Sequence, residues 1–238
     1  MSEHTVSRYD DELKDIARRI AEMGGMAERL VDHAVTALTR LDTTIANSVI
    51  SDDKRLDLLQ RECEEQAILI IARRQPMAMD LREVIGALRI SNDLERIGDL
   101  AKNIAKRVIA LDGQFQSKRF MTGVEHMAEL SLAQLKDVLD AYALRDVKQA
   151  FEVWKRDAEI DQMYTSLFRE LLTYMMEDPR NITFCTHLLF CAKNIERIGD
   201  HTTNIAETIQ YAVTGELLPD ERPKHDDSSI TTVPYETT

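Results

Sequence analysis

From about Tyr9 to Asn47 the apolar residues Ile16, Ile20, Met23, Ala27, Leu30, Ala34, Leu38, Leu41 and Ile45 recur at every third or fourth position, the period of an amphipathic helix. Ser51-Asp52-Asp53 then offers a cap, because short polar side chains accept from the free N–H groups of a helix start. Leu56, Leu59, Cys63, Ala67 and Ile70 give a second helix its apolar side as far as Arg74. Gln75-Pro76 predicts a corner, since proline cannot donate to a helical ladder. A third helix is expected from there to about Leu111, closed by Asp112-Gly113. The pattern then starts again, with helices from about Phe120 to Leu144 and from Asp146 to Met176. Asp178-Pro179 reads as an N-cap with proline at the first helical position, and a last helix reaches about Val213, with Gly215 behind it. Prolines stand only at 76, 179, 219, 223 and 234, so long helices meet no breaker. The chain reads as all-α, with six long helices.

The second half is a copy of the first. Asn92 to Ala105 aligns with Lys193 to Ala206 at an offset of 101 residues, with eight identities that include an unbroken Glu-Arg-Ile-Gly-Asp. The same offset carries Met26-Ala27-Glu28 onto Met127-Ala128-Glu129. A word that recurs in phase with corners and helix lengths marks an internal duplication. Two tandem three-helix bundles are therefore expected, over 8–112 and 113–215, joined by a continuous helix or short junction near 112–120. The remaining 216–238 holds three of the five prolines with Asp, Ser and Thr, and is expected to be a disordered tail.

Composition narrows the function classes. Eight Gly, five Pro and 5% aromatics in 238 residues are too few turn formers and rings for a sandwich or barrel. Thirty basic against forty-two acidic residues leave a formal charge of −12, the wrong sign for nucleic-acid binding. No apolar run approaches the roughly 18 residues of a membrane span. The N-terminal MSEHTVSRYDDELKD is polar and acidic, unlike a signal peptide, so a cytoplasmic location is expected. Cys63, Cys185 and Cys191 form no CxxC and are read as reduced core residues.

The repeated word carries the candidate chemistry. At 100° per residue, Glu95, Asp99, Asn92, Asn103 and Arg96 fall within about 100° of one another. Ile90, Leu94, Ile97, Ala101 and Ile104 lie on the opposite side. The second copy places Glu196, Asp200, Asn204 and Arg197 alike, so an outward polar stripe is expected on each bundle. Two carboxylates at i and i+4 repel by a few tenths of a kcal/mol unless a cation sits between them. Their hard oxygens suit Fe, Mn, Mg or Ca. The second helix of each repeat offers a partner pair, Asp53 with Asp57 and Asp157 with Asp161. An antiparallel hairpin brings four carboxylates to one surface of each bundle. With forty-two acidic residues, acidic pairs at this spacing are common by chance, and an acidic pair is ordinarily a solvated face. What distinguishes these is their equivalent placement in both repeats. Spacing alone leaves two readings open: a metal site, and a salt-bridged or partner-contacting surface. Gly98 and Gly199 have two as well, since glycine within a helix costs about 1 kcal/mol against alanine: close approach of a neighbouring helix, or room for a ligand.

Little else points to chemistry. His33, His126, His187 and His201 form no His-x-x-x-His or Glu-x-x-His, so the usual di-iron bundle pattern is missing. Met77, Met79, Met175 and Met176 sit by the corners and read as packing, and Trp154 as a core or junction residue. No phosphate-binding glycine loop, nucleophile elbow or Cys/His dyad is present, so no enzymatic activity is expected.

The twin Glu-Arg-Ile-Gly-Asp-x-x-x-Asn-Ile-Ala segments, with Arg74-Gln75-Pro76-Met77-Ala78-Met79-Asp80-Leu81-Arg82, closely resemble the PhoU family over roughly residues 8 to 214. The resemblance implies two tandem three-helix bundles, a cytoplasmic location at most peripheral to the membrane, and a homodimer. It implies negative regulation of the phosphate-starvation response and phosphate uptake. The partners it implies are the ATPase of the phosphate ABC transporter and a sensor histidine kinase, linked by a non-enzymatic adaptor. It also implies a multinuclear iron or zinc cluster on E/D-x-x-x-D motifs, here Glu95, Asp99, Glu196 and Asp200 on the third helices and Asp53, Asp57, Asp157 and Asp161 on the second. The second repeat departs from the family's corner, with Asp178-Pro179-Arg180-Asn181 in place of the Gln-Pro-Met-Ala word. The rivals are a carboxylate-cluster metalloenzyme, redox or hydrolytic, and a purely structural scaffold. Outward carboxylates weigh against the first, because catalytic bundle metals sit between helices.

Overall fold

The computed structural model describes residues 3–111 and 121–218, with side chains from Tyr9 onward. Six α-helices follow in order: α1 (Glu3–Arg40), α2 (Thr43–Arg74), α3 (Met79–Ala110), α4 (Thr122–Leu144), α5 (Val147–Glu177) and α6 (Ile182–Thr214), with a 3-10 turn at Pro179–Asn181 before the last. No strand occurs among the described residues. Helices α1 to α3 pack as one three-helix bundle and α4 to α6 as another. The junction expected at 112–120 and the tail beyond 218 lie outside the described residues.

One helix boundary differs from the sequence reading. The first helix does not run on to Asn47; it ends at Arg40, and α2 begins at Thr43. Leu41 turns the chain with φ 46°, and the Asp42 carboxylate accepts from Thr44 N at 2.8 Å and Ile45 N at 3.0 Å. An aspartate that satisfies two free donors ends one helix and starts the next without glycine or proline. Ser51-Asp52-Asp53 is consequently no cap but lies inside α2. Arg145-Asp146 repeats the device, with Arg145 at φ 53° and Asp146 accepting from Lys148 N and Gln149 N at 2.9 and 3.1 Å. These corners are 104 residues apart, three more than the Glu95–Glu196 offset. The match of Met26-Ala27-Glu28 to residues 127–129 is thus about one turn out of structural register.

The periodic residues form the core as expected: Ile20, Met23, Leu38, Leu56, Ile90, Leu94, Ile97 and Ile104 are fully buried, while Leu41 and Ile45 are only partly so. The three cysteines are free and buried. Trp154 is buried, its indole N–H donating to Glu207 at 3.0 Å. The corner methionines depart from the packing reading, with Met77, Met79 and Met176 exposed; only Met175 rests against the core.

The bundles lie side by side. Helices α3 and α6 run antiparallel along the seam, so that Gly86 faces Thr208 and Ala212 near one end, while the Arg107 guanidinium lies 4.0 Å from the Phe190 ring centre near the other. Between them His201 Nδ1 stands 2.9 Å from Asp93 Oδ1. Helix α1 meets α4 where a Cβ on Gly24 would come within 2.5 Å of Leu139. The consequence for the site is that α3 has neighbours on three sides, α1, α2 and α6, and α6 has α3, α4 and α5. Neither presents a wholly open face.

Candidate functional site: two carboxylate clusters

The expected outward stripe holds only in part: Asn92, Arg96, Asn103 and Arg197 are exposed, but the carboxylates are not. Asp53, Asp157, Asp161 and Glu196 are buried, at 1%, 2%, 3% and 5% exposure, and Asp57, Glu95, Asp99 and Asp200 are half-buried. The helical wheel separates the carboxylates from the isoleucines correctly. It misplaces the carboxylates because their flank lies against the second helix of the repeat, while Asn92, Arg96 and Asn103 beside them face solvent.

Within each repeat the predicted residues do come together. In the first, Asp57 from α2 and Asp99 from α3 lie close enough to Asp53 and Glu95 for their charges to raise those two carboxyls. Burial, before any neighbouring charge, raises the Asp53 and Glu95 carboxyls above the usual range. In the second, Glu196 is pushed up to about 7, first by burial and then by the charges of Asp200 and Asp161, against the opposing Lys193. Asp157 joins through Thr203, whose hydroxyl donates to Asp157 Oδ1 at 3.1 Å.

Sequence reasoning missed the side chain that sits in the middle. Lys102 Nζ donates to Asp53 Oδ2 and to Asp99 Oδ1, each at 2.5 Å, and thereby ties α2 to α3. Burial opposes its charge, but the hydrogen bonds and charges of the two aspartates outweigh this and hold the ammonium above its ordinary range. Arg96, mostly exposed, adds looser contacts to Glu95 and Asp99 at 3.5 and 3.6 Å. In the aligned repeats Lys102 stands opposite Thr203. That difference was the available signal.

The glycines divide toward close packing. A Cβ on Gly98 would lie 2.5 Å from Leu56 Cδ2 and 3.3 Å from Asp53 Oδ1. On Gly199 it would meet Ile160 Cδ1 at 3.0 Å and Asp157 Oδ1 at 3.4 Å. Each glycine lets the second helix of its repeat, with its carboxylate, approach the third. Alanine gains about 1 kcal/mol of helix propensity but overpacks the core where space is lacking, at about 1–3 kcal/mol. Gly98→Ala is expected to lose about 1 kcal/mol net and Gly199→Ala to stay near neutral, measured by urea denaturation. Equal losses at both sites would refute the difference in packing.

Whether a metal fits these donors has different answers in the two repeats. Among the described residues no three His, Cys, Asp or Glu side chains are set as a ready coordination shell. In the first repeat the place between Asp53 and Asp99 is taken by an ammonium, so the residues as they stand do not fit a metal. In the second, Thr203 stands where the first has Lys102, Lys193 Nζ donates to Glu196 Oε1 at 2.8 Å, and Glu196 Oε2 is buried without a hydrogen-bond partner. Buried unpaired carboxylate oxygens are uncommon and costly, and hard oxygen donors suit a divalent cation. The donor chemistry there fits, although the shell is not preformed. A cavity of about 500 Å³ lies elsewhere, at the seam between α1, α3, α4 and α6, lined by Ala17, Gly25, Gly86, Leu139 and Ala212 among others. Neither cluster lines it.

The PhoU domain family matches twice, over residues 20–108 and 124–209. The phosphate-specific transport system accessory protein PhoU homolog of Rhizobium meliloti is 61% identical over 226 residues, covering 95% of each chain. That of Caulobacter vibrioides is 51% identical and covers 95% of this chain and 98% of its own. The crystal structure of PhoU from Pseudomonas aeruginosa superposes with a TM-score of 0.85 at 38% identity, covering 87% of this chain and all of that one (100%). The phosphate transport system regulatory protein PhoU from Streptococcus pneumoniae gives 0.82 at 30% identity, covering 89% and 99%.

Proposed function

Because the chain belongs to the PhoU family, we propose that it is an accessory protein of phosphate transport that holds down phosphate uptake and the phosphate-starvation response. It acts as a non-enzymatic adaptor between the ATPase of the phosphate ABC transporter and a sensor histidine kinase, in the cytoplasm and as a homodimer. The observation that carries this reading is end-to-end likeness to relatives named as phosphate-specific transport system accessory proteins. Two further features support it. No helix among the described residues is long and apolar enough to cross a membrane, as befits a partner of membrane proteins rather than a channel. The long helices are joined by tight capped corners, a stiff body suited to bridging. An adaptor transmits a signal only if it prefers one state of its partners. Deleting the gene is therefore expected to leave starvation genes expressed in high phosphate, read by a reporter fusion. Repression that persists in the deletion strain argues against the adaptor.

The metal reading is narrowed to the second cluster, where Asp157, Asp161, Glu196 and Asp200 would hold iron or zinc. A bound cation would supply charge neutralisation between α5 and α6. Burial of these carboxylates between helices also favours a second reading, since catalytic bundle metals occupy such places. Phosphatase or peroxidase turnover by iron-loaded protein, lost in Asp161→Asn, would establish it; a flat screen removes it.

A further inference from the structure

We propose that two copies of this chain associate through the outer face of α2, the two helices packed antiparallel about a two-fold axis that passes near Cys63. This rests on the homodimer reading above and names the surface that forms it.

Helix α2 packs chiefly on α1 and α3, so its far side is open. Leu56, Leu59, Cys63, Ala67 and Ile70 turn inward, with Cys63 fully buried in the middle of that stripe. Leu58, Ile68 and Leu69 turn outward, at 54%, 54% and 46% exposure. Single exposed leucines are ordinary, but these three share one face over about three turns, in mid-helix rather than at a corner. The charges around them divide into two kinds. Arg55 and Glu62, on the flank toward α1, pair with Glu22 at 3.2 Å and with Arg19 at 2.5 Å. Arg61 and Glu65, exposed between the apolar residues, form no ion pair among the described residues. Although four apart, they stand in the order arginine then glutamate, the weaker one for pairing within a helix.

The face complements itself when turned end for end. At 100° per residue, Leu58, Arg61, Glu65 and Leu69 fall within about 60° of the point opposite Cys63. Arg61 and Glu65 lie two residues before and after Cys63, and Leu58 and Leu69 lie five before and six after. An antiparallel copy therefore sets Leu58 against the partner's Leu69 and Arg61 against the partner's Glu65, and the axis repeats both contacts. That reciprocity is the mark of an isologous dimer interface. Four leucines leave water, which drives association. Two reciprocal ion pairs fix the register and exclude a parallel arrangement, in which each charge would oppose its own kind. The second repeat offers no such face: counted from the matching helix starts, Gln162 and Thr173 on α5 stand where α2 has Leu58 and Leu69. One axis per chain gives a closed dimer rather than a run of copies.

The test follows self-association of the full chain by analytical ultracentrifugation over a wide range of concentration, with circular dichroism to check that each variant keeps its helices. Wild type is expected to dimerise. Arg61→Glu and Glu65→Arg should each raise the dissociation constant about tenfold, and Leu58→Asp by about a hundredfold, whereas Thr173→Asp on α5 should leave it unchanged. An equimolar mixture of Arg61→Glu and Glu65→Arg protein should recover the wild-type constant, because across the axis each substitution meets its opposite. Wild type that stays monomeric at every concentration overturns this face and the homodimer reading together, and leaves α2 to a partner of another kind. Dimers undiminished by Leu58→Asp and by both charge reversals overturn this face and leave the homodimer standing. A mixture of the two charge variants that fails to reassociate overturns the antiparallel register, and the proposal with it.

Discussion

Chelated Glu196→Gln protein is expected to be more stable than chelated wild type by about 2 kcal/mol at pH 8, with the two converging near pH 5. Burial raises the Glu196 carboxyl from 4.5 to about 7, so the folded chain holds this proton more tightly than the unfolded chain. The stability it contributes is therefore full below about pH 4.5 and lost as pH rises through 7. At 1.36 kcal/mol per pKa unit the loss is at most about 3 kcal/mol, and contact with the half-exposed Lys193 reduces it. Glutamine stays neutral at every pH and cannot lose what it never gains from protonation. Asp53 and Glu95, also raised by burial, titrate in both proteins, so the informative quantity is the difference between the two urea-derived stabilities at pH 5, 6.5 and 8. A difference that does not change with pH would show that Glu196 is ionised in the folded chain throughout this range.

Ile97→Ala should cost about 2–5 kcal/mol, the range for emptying a fully buried aliphatic site. Ile97 is 0% exposed and projects from α3 opposite the carboxylates, among residues of the first bundle's core. The more telling feature is the shape of the unfolding curve. Helices α3 and α6 pack along the seam between the bundles, joined by the Asp93–His201 contact and the close approach at Gly86. Removing support from α3 therefore withdraws part of the surface on which the second bundle rests. Urea unfolding followed by circular dichroism and by Trp154 fluorescence is expected to stay a single transition, with both signals shifted to lower denaturant. Trp154 lies in the second bundle, so fluorescence that keeps its wild-type midpoint while circular dichroism splits would show that the bundles unfold independently.

The clearest lesson on legibility lies in α3. Its isoleucines announced a buried stripe and its carboxylates an opposing one, and both stripes exist. The step from "opposite the core" to "facing water" holds for Asn92, Arg96 and Asn103 but not for the carboxylates, because α3 packs on α1, α2 and α6 at once. A wheel describes one helix and carries no information on how many neighbours surround it. The α1–α2 corner was missed for a local reason: Asp42 ends a helix with a single carboxylate and Leu41 takes a left-handed turn without glycine, so the usual punctuation is lacking. Lys102 was visible as a difference between the aligned repeats, but a lysine three residues after an aspartate is an ordinary surface pair until a second helix supplies Asp53.

By itself the sequence determined that this protein is all-α, that it is a duplicated three-helix unit, and that each copy carries the same four carboxylates in the same order. Those properties reside in periodicity, proline placement and repetition, which act along the chain. Only the tertiary structure decided that the carboxylates are wholly or partly sheltered between helices, and that each cluster meets a lysine in a different way, Lys102 on Asp53 and Asp99 and Lys193 on Glu196. Burial and pairing depend on which surfaces meet across space: the lysine of the first repeat, Lys102, bridges Asp53 and Asp99 on two helices, whereas in the second Lys193 meets Glu196 and Thr203 takes the place of Lys102.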